Sequence, residues 1–274
     1  MGAVNLATKY ASKLDQLFTA GSYTDRFVNK KYDFTGAKTV EVYTVTTVAP
    51  SAYDRTKTGD RFGGNNELQD VITAYTISND KSFKIVIDAG NYEQGALAKK
   101  AGEVMRAEME EQVIPMIDAN RLAAAATGAT AVSQAVTTTA GKEYDAVLDM
   151  SVFLDEAKAP MAGRVLWVSP QFYNGIKKQI TTTINAQGYN DKILGRGFVG
   201  ELDGVPVVKV PSSYFPSGTN AIMVHRDALL GVDQIKTTRI ISDSELVDGK
   251  VLVGRFIYDS FILNGKKNAV ASAS

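Results

Sequence analysis

Residues 195–200 read GRGFVG, so that Gly195, Gly197 and Gly200 carry the spacing with which some folds press backbone N–H groups against a pyrophosphate. That chemistry needs an apolar strand before the glycines and a helix after them. No apolar strand precedes them. On their C-terminal side stands ELDGVPVVKVP, which reads as a β-hairpin with its turn at Asp203–Gly204 and a strand over Val205–Val210. The chain holds 23 glycines in 274 residues, so the spacing alone carries little weight.

The other reactive side chains are few. His225 is the single histidine and there is no cysteine, which removes thiolate and multi-histidine metal sites, disulfides and cysteine nucleophiles. No serine sits in a nucleophile-elbow motif, and a lone histidine at a strand end reads as a hydrogen-bonded or surface residue. Glu108, Glu110, Glu111 and Asp118 could pair carboxylates for acid–base work. With Arg106 and Arg121 nearby on one long helix, they read instead as a solvated or interface face. Gly265–Lys266 lacks the upstream glycine and the following Ser or Thr of a phosphate-binding loop. No catalytic residue, cofactor or metal ligand is expected, and the chain is read as a non-enzyme.

The elements that would position these groups follow from periodicity. Residues 5–19 space Leu6, Tyr10, Leu14, Leu17 and Phe18 as a short amphipathic helix on an N-terminal arm. KTVEVYTVTTV, LQDVITAYTI and SFKIVID alternate like strands, with a charged loop over 49–67 and a turn at SNDK (78–81). Together 38–88 form a hairpin-like excursion without a thick core of its own, whose apolar partner is expected elsewhere, including on another subunit. From Tyr92 to Ala126 the spacing predicts a helix of about 50 Å, which Pro115 should kink. The small-residue stretch 127–142 reads as a linker or loose hairpin. A helix over 144–158, a buried strand RVLWVS holding Trp167, and a helix opening at Pro170 come next, and the rest is mostly strand.

Composition sets limits on partners. Thirty Lys and Arg balance thirty Asp and Glu, which argues against tight nucleic-acid binding through a basic surplus. No apolar stretch is long enough to span a membrane. The first 18 residues show no signal-peptide core, and Leu6 stands where a myristoylation motif needs Ser or Thr. The expected setting is a reducing cytoplasm or a soluble assembly.

In their order, these pieces resemble the major capsid (coat) protein of tailed bacteriophages, whose fold is shared with encapsulins and the herpesvirus capsid floor. YDFTGAKTVEVYTV and YTISNDKSFKIVID resemble that family's extended loop, and KAGEVMRAEMEEQVIPMIDANRLAAAA its spine helix. GRVLWVSPQFYNGIKK and GELDGVPVVKVP resemble the axial domain, while AIMVHRDALLGVDQIKTTRI and GRFIYDSFILNGKKNAV resemble the closing strands.

The resemblance implies an α+β fold: an N-terminal arm (1–35), an extended β loop (36–88), a peripheral domain with the spine helix (89–142), an axial domain (143–222) and closing strands shared by the two (223–274). It implies a structural virion protein that self-assembles as hexamers and pentamers into an icosahedral shell around double-stranded DNA, which it encloses without sequence-specific binding. Assembly would occur in the host bacterial cytoplasm, with a separate scaffolding protein, or none, and a portal as partners and no membrane. Asp54, Arg55, Asp60 and Arg61 of the loop tip are either solubilising charges or inter-subunit ion pairs, and Arg196 is expected to touch a neighbouring subunit. Lys57 with Asn264 or Asn268 has the residue types of an isopeptide crosslink, but no crosslink is expected. The alternatives are an encapsulin-like nanocompartment shell and, third, a soluble nucleotide-binding enzyme.

Overall fold

The computed structural model describes residues 21–32, 38–59, 61–62, 69–88, 101–179, 198–242 and 248–274. The expected N-terminal arm helix, residues 92–100 of the expected long helix, Gly195, Arg196 and Gly197 lie outside them.

At the centre stands the fully buried strand β5 (Arg164–Val168). Its sequence, RVLWV, does not alternate, and a strand covered on both faces has no reason to. Leu166 and Val168 enter one core while Val165 and Trp167 enter another on the opposite face. β5 pairs in parallel with β7 (Val205–Lys209) and antiparallel with β8 (Ala221–His225). β6 (Phe198–Leu202), β4 (Ala135–Val136) and β11 (Val270–Ala273) complete a six-stranded sheet in the order β4-β11-β8-β5-β7-β6.

The β6–β7 turn has Asp203 at φ 51 and Gly204 at φ 74, with Leu202 opposite Val205. Two consecutive positive φ values make the two-residue turn whose twist matches the strands it joins, as Asp–Gly predicts. The opening glycine motif resolves here as well. Its second half, Phe198–Gly200, is strand, with a register shift between Phe198 and Gly200, and the next element is β7 rather than a helix.

A second sheet of three strands is built on β10 (Gly249–Ile262), flanked by β3 (Asn79–Asp88) and β9 (Leu229–Ile241). Along it lies the spine: α1 (Ala101–Glu108), a π-helical turn over Met109–Val113, and α2 (Ile114–Ala131). Met105 of α1 packs with Leu252, while Val113 and Ile117 pack with Phe256 and Tyr258. Pro115 sits in the first turn of α2, directly after the π turn. The proline cannot donate its backbone bond, and the widened turn before it is where the ladder gives way.

Three expectations are corrected. The helix does not stop at Ala126: residues 127–131, read as linker or loose hairpin, continue it to Ala131. Small side chains serve close packing there, since a Cβ on Gly128 would stand 2.6 Å from Ile262 Cγ1. Ala135–Val136, also read as linker, forms the edge strand beside β11. SNDK is not a hairpin turn, because among the described residues β2 (Gln69–Thr76) pairs only with β1 (Thr39–Thr46), and β3 joins β10. Ser78 fixes the crossover: its N–H and hydroxyl each donate to one Asp259 carboxylate oxygen at 2.8 Å.

Candidate assembly surfaces

The β1–β2 hairpin is paired over its full length, from Thr39 opposite Thr76 to Thr46 opposite Gln69. Alternation then assigns two faces. Val42 and Tyr75 turn inward onto Leu230, Val232 and Leu263. Tyr75 is further tied down where its hydroxyl accepts the Asn264 N–H at 2.7 Å. On the other face Tyr43, Val45 and Ile72 are solvent-exposed. A chain that ended its work as a monomer would gain by making those positions polar.

The tip of this hairpin is ordered by its own polar groups. Asp54 accepts the Thr56 N–H at 2.9 Å and the Thr56 hydroxyl at 2.6 Å. The Thr56 hydroxyl, then its N–H, hold the Asp54 carboxyl below the usual aspartate range. Arg61 Nε donates to the Lys57 carbonyl at 2.7 Å, and the Ser51 hydroxyl to that of Phe62 at 2.8 Å. Of the tip charges singled out by sequence, Asp54 and Arg61 thus brace the turn, Arg55 is exposed, and Asp60 lies outside the described residues. What the bracing presents is aromatic: Tyr53 and Phe62 meet edge to face at 5.1 Å, with Phe62 81% exposed.

The root of the N-terminal segment is held by a cluster that the sequence placed wrongly. Asp118 and Arg121, read as a solvated or interface face, are buried. Asp118 accepts from the Ser22 hydroxyl at 2.7 Å, the Tyr23 N–H at 2.8 Å and the Thr24 hydroxyl at 2.5 Å. Arg121 donates to Thr24 Oγ1 at 3.1 Å and, at 3.2 Å each, to Asp25 and Asp233. Burial pushes the Asp25 carboxyl up, but the Lys30 hydrogen bond and the Arg121 and Lys30 charges together hold it below its ordinary range. The only sequence signal is an Asp and an Arg at i,i+3 on a helix with no other charged residue. The cluster ties spine helix, β9 and residues 22–25 into one body. Trp167 reinforces the join from the sheet, donating from Nε1 to the Tyr23 carbonyl at 3.3 Å.

The remaining candidates for chemistry are structural. His225 Nδ1 accepts the Asp227 N–H at 3.2 Å and Nε2 faces the Ala162 carbonyl at 3.1 Å, an arrangement that fixes the Nε2–H tautomer and leaves no free nitrogen. Glu110 pairs with Arg106 at 2.7 Å. Among the described residues, no group of three or more acidic or histidine side chains could hold a metal, and no helix is long and apolar enough to cross a membrane.

Comparison with solved structures finds this fold repeatedly in phage particles. A chain from Mycobacterium phage Che8 is 18% identical, with 99% of this chain and 98% of that one covered and a TM-score of 0.68. The capsid structure of Cyanophage P-SCSP1u gives 13% identity, 98% and 92% coverage and a TM-score of 0.75. The asymmetric unit of the bacteriophage PhiM1 mature capsid gives 11%, 98%, 91% and 0.69. No curated protein sequence matches significantly. The sequence profile of the phage capsid protein family matches residues 85–267, about two-thirds of the chain, from within β3 to just past the end of β10. The chain therefore belongs to the phage capsid protein family, as a structural major capsid protein of the α+β fold those shells share rather than an enzyme.

Proposed function

We propose that this protein assembles into hexamers and pentamers that close an icosahedral shell around double-stranded DNA. The observation that carries the reading is the outward face of the β1–β2 hairpin with its aromatic tip, an apolar surface that the described residues leave uncovered. The extended loop, 36–88, lies over an adjacent subunit and contributes its last strand, β3, to its own body sheet. Residues 1–35 form an arm that clasps another neighbour from the root anchored at Asp118. Residues 143–222 face the capsomer centre, 89–142 form the periphery, and 223–274 run through both. Asp54, Arg55, Asp60, Arg61 and Arg196 are candidates for inter-subunit contact. A separate scaffolding protein and a portal complete the assembly in the host cytoplasm, without isopeptide crosslinks.

Balanced charge suits a shell that encloses DNA without gripping it. Closed shells also need one surface to meet neighbours at several angles, which a hinged hairpin and an interrupted spine allow.

Negative-stain microscopy of the expressed chain, alone and with the phage's candidate scaffold, tests this. Uniform closed shells are expected; a small monomer under every condition overturns it. Nuclease-protected DNA in particles from infected cells is the further expectation, and protein cargo in its place would point to a nanocompartment instead.

A further inference from the structure

The helix α3 (Glu143–Glu156) is amphipathic in an unusual way. Its inner face, with Ala146, Val147, Met150 and Leu154, packs into the core over the six-stranded sheet. Its outer face still carries Leu148, 38% exposed, and Val152, 55% exposed, one turn apart. Around this pair stand Asp145, Asp149 and Glu156, all exposed. Asp145 has Lys142 at 3.4 Å. Asp149 and Glu156 make no ion pair among the described residues.

The neighbouring helix α4 (Pro170–Gln179) and strand β7 carry the opposite charge. Lys177 and Lys209 both stand against the buried ring of Tyr173, at 4.9 and 5.9 Å from its centroid, and Lys178, in the last turn of α4, is exposed. Two ammonium groups gathered on one ring repel each other, and among the described residues no carboxylate pairs with either. α3 lies over β11 and packs against α4, the Tyr144 N–H donating to Gln179 Oε1, whereas Lys209 stands on β7, three strand spacings from β11 along the sheet, or about 14 Å. The same unit thus carries an acidic–apolar face on α3 and a basic patch on α4 and β7.

We propose that the α3 face docks onto the α4–β7 basic flank of a second copy of this chain, head to tail. A two-fold contact through α3 would set Asp149 and Glu156 against like charges, so the complement on offer is the other flank. A head-to-tail contact repeated by rotation closes a ring. The inference rests on the capsid reading above and names the surfaces that would close its capsomers.

Charge reversal tests it. Asp149→Lys with Glu156→Lys makes both flanks basic, and Lys178→Glu with Lys209→Glu makes both acidic. Each variant alone is expected to lose rings and particles while keeping wild-type circular dichroism and melting temperature. Mixed in equal amounts, the two should regain assembly only as even-membered rings, read by native mass spectrometry, because alternating subunits cannot close an odd ring. Lys178→Glu alone, at an exposed site, replaces the double variant if the latter unfolds. Reversed variants that assemble like wild type, or folded variants that fail to complement, overturn the docking surfaces while leaving the capsid reading intact. Failure of the wild-type chain to assemble overturns both.

Discussion

At the scale of single residues, the least replaceable polar group is Asp118. It accepts three hydrogen bonds from residues 22–24 and faces the buried Arg121, with 3.8 Å between the charged atoms. Asp118→Ala would leave a buried guanidinium short of a countercharge and free the arm's root. We expect a loss of about 3 kcal/mol, measured by urea unfolding of the unassembled chain.

The same cluster gives a pH dependence. Folding lowers the Asp25 pKa from its ordinary 3.8. Its contribution is therefore complete above that value and disappears as pH falls through the lower folded value. The side chain is half exposed, so the effect is modest: the acid limb of the stability curve should flatten in Asp25→Asn, and an unchanged limb would remove the assignment. Neither residue was legible as a clamp from sequence, because partners 94 to 96 positions away in the chain leave no local pattern.

At the scale of elements, strands and turns read well where local chemistry decides them. Asp203–Gly204 specifies its own turn, RVLWV its double burial, and Pro170 the start of its helix. The misreadings fall where packing overrides composition. Small residues at 127–131 look like a linker, yet Gly128 lets α2 reach β10 at Ile262. Gly128→Ala should cost about 1–3 kcal/mol and lower the melting temperature, since a Cβ must displace Ile262. SNDK carries turn residues, yet Asp259 on a distant strand claims Ser78 and leads the chain into the other sheet. The hairpin face makes the opposite prediction. Tyr43→Ser with Ile72→Ser removes apolar surface already in water, so stability of the single chain should hold within about 0.5 kcal/mol while particle formation is lost.

At the scale of the whole molecule, the order of elements was legible, and the fold and family agree with it: an apolar hairpin, a long helix interrupted before a proline, a covered central strand and returning strands. The contacts that matter for assembly were not, since they are made by surfaces and a single sequence marks surfaces only by what they fail to bury. The tip charges illustrate this. They were legible as an unusual cluster, yet Asp54 and Arg61 turn out to brace a loop whose displayed groups are Tyr53 and Phe62.

The absence of cysteine offers a direct measurement of whether that loop meets a neighbour. Phe62→Cys places a single thiol at the most exposed apolar position among the described tip residues, and maleimide labelling can be timed before and after assembly. Fast labelling of the unassembled chain and a thiol protected in closed particles are expected. Equal labelling rates in both states would contradict a loop that lies over an adjacent subunit.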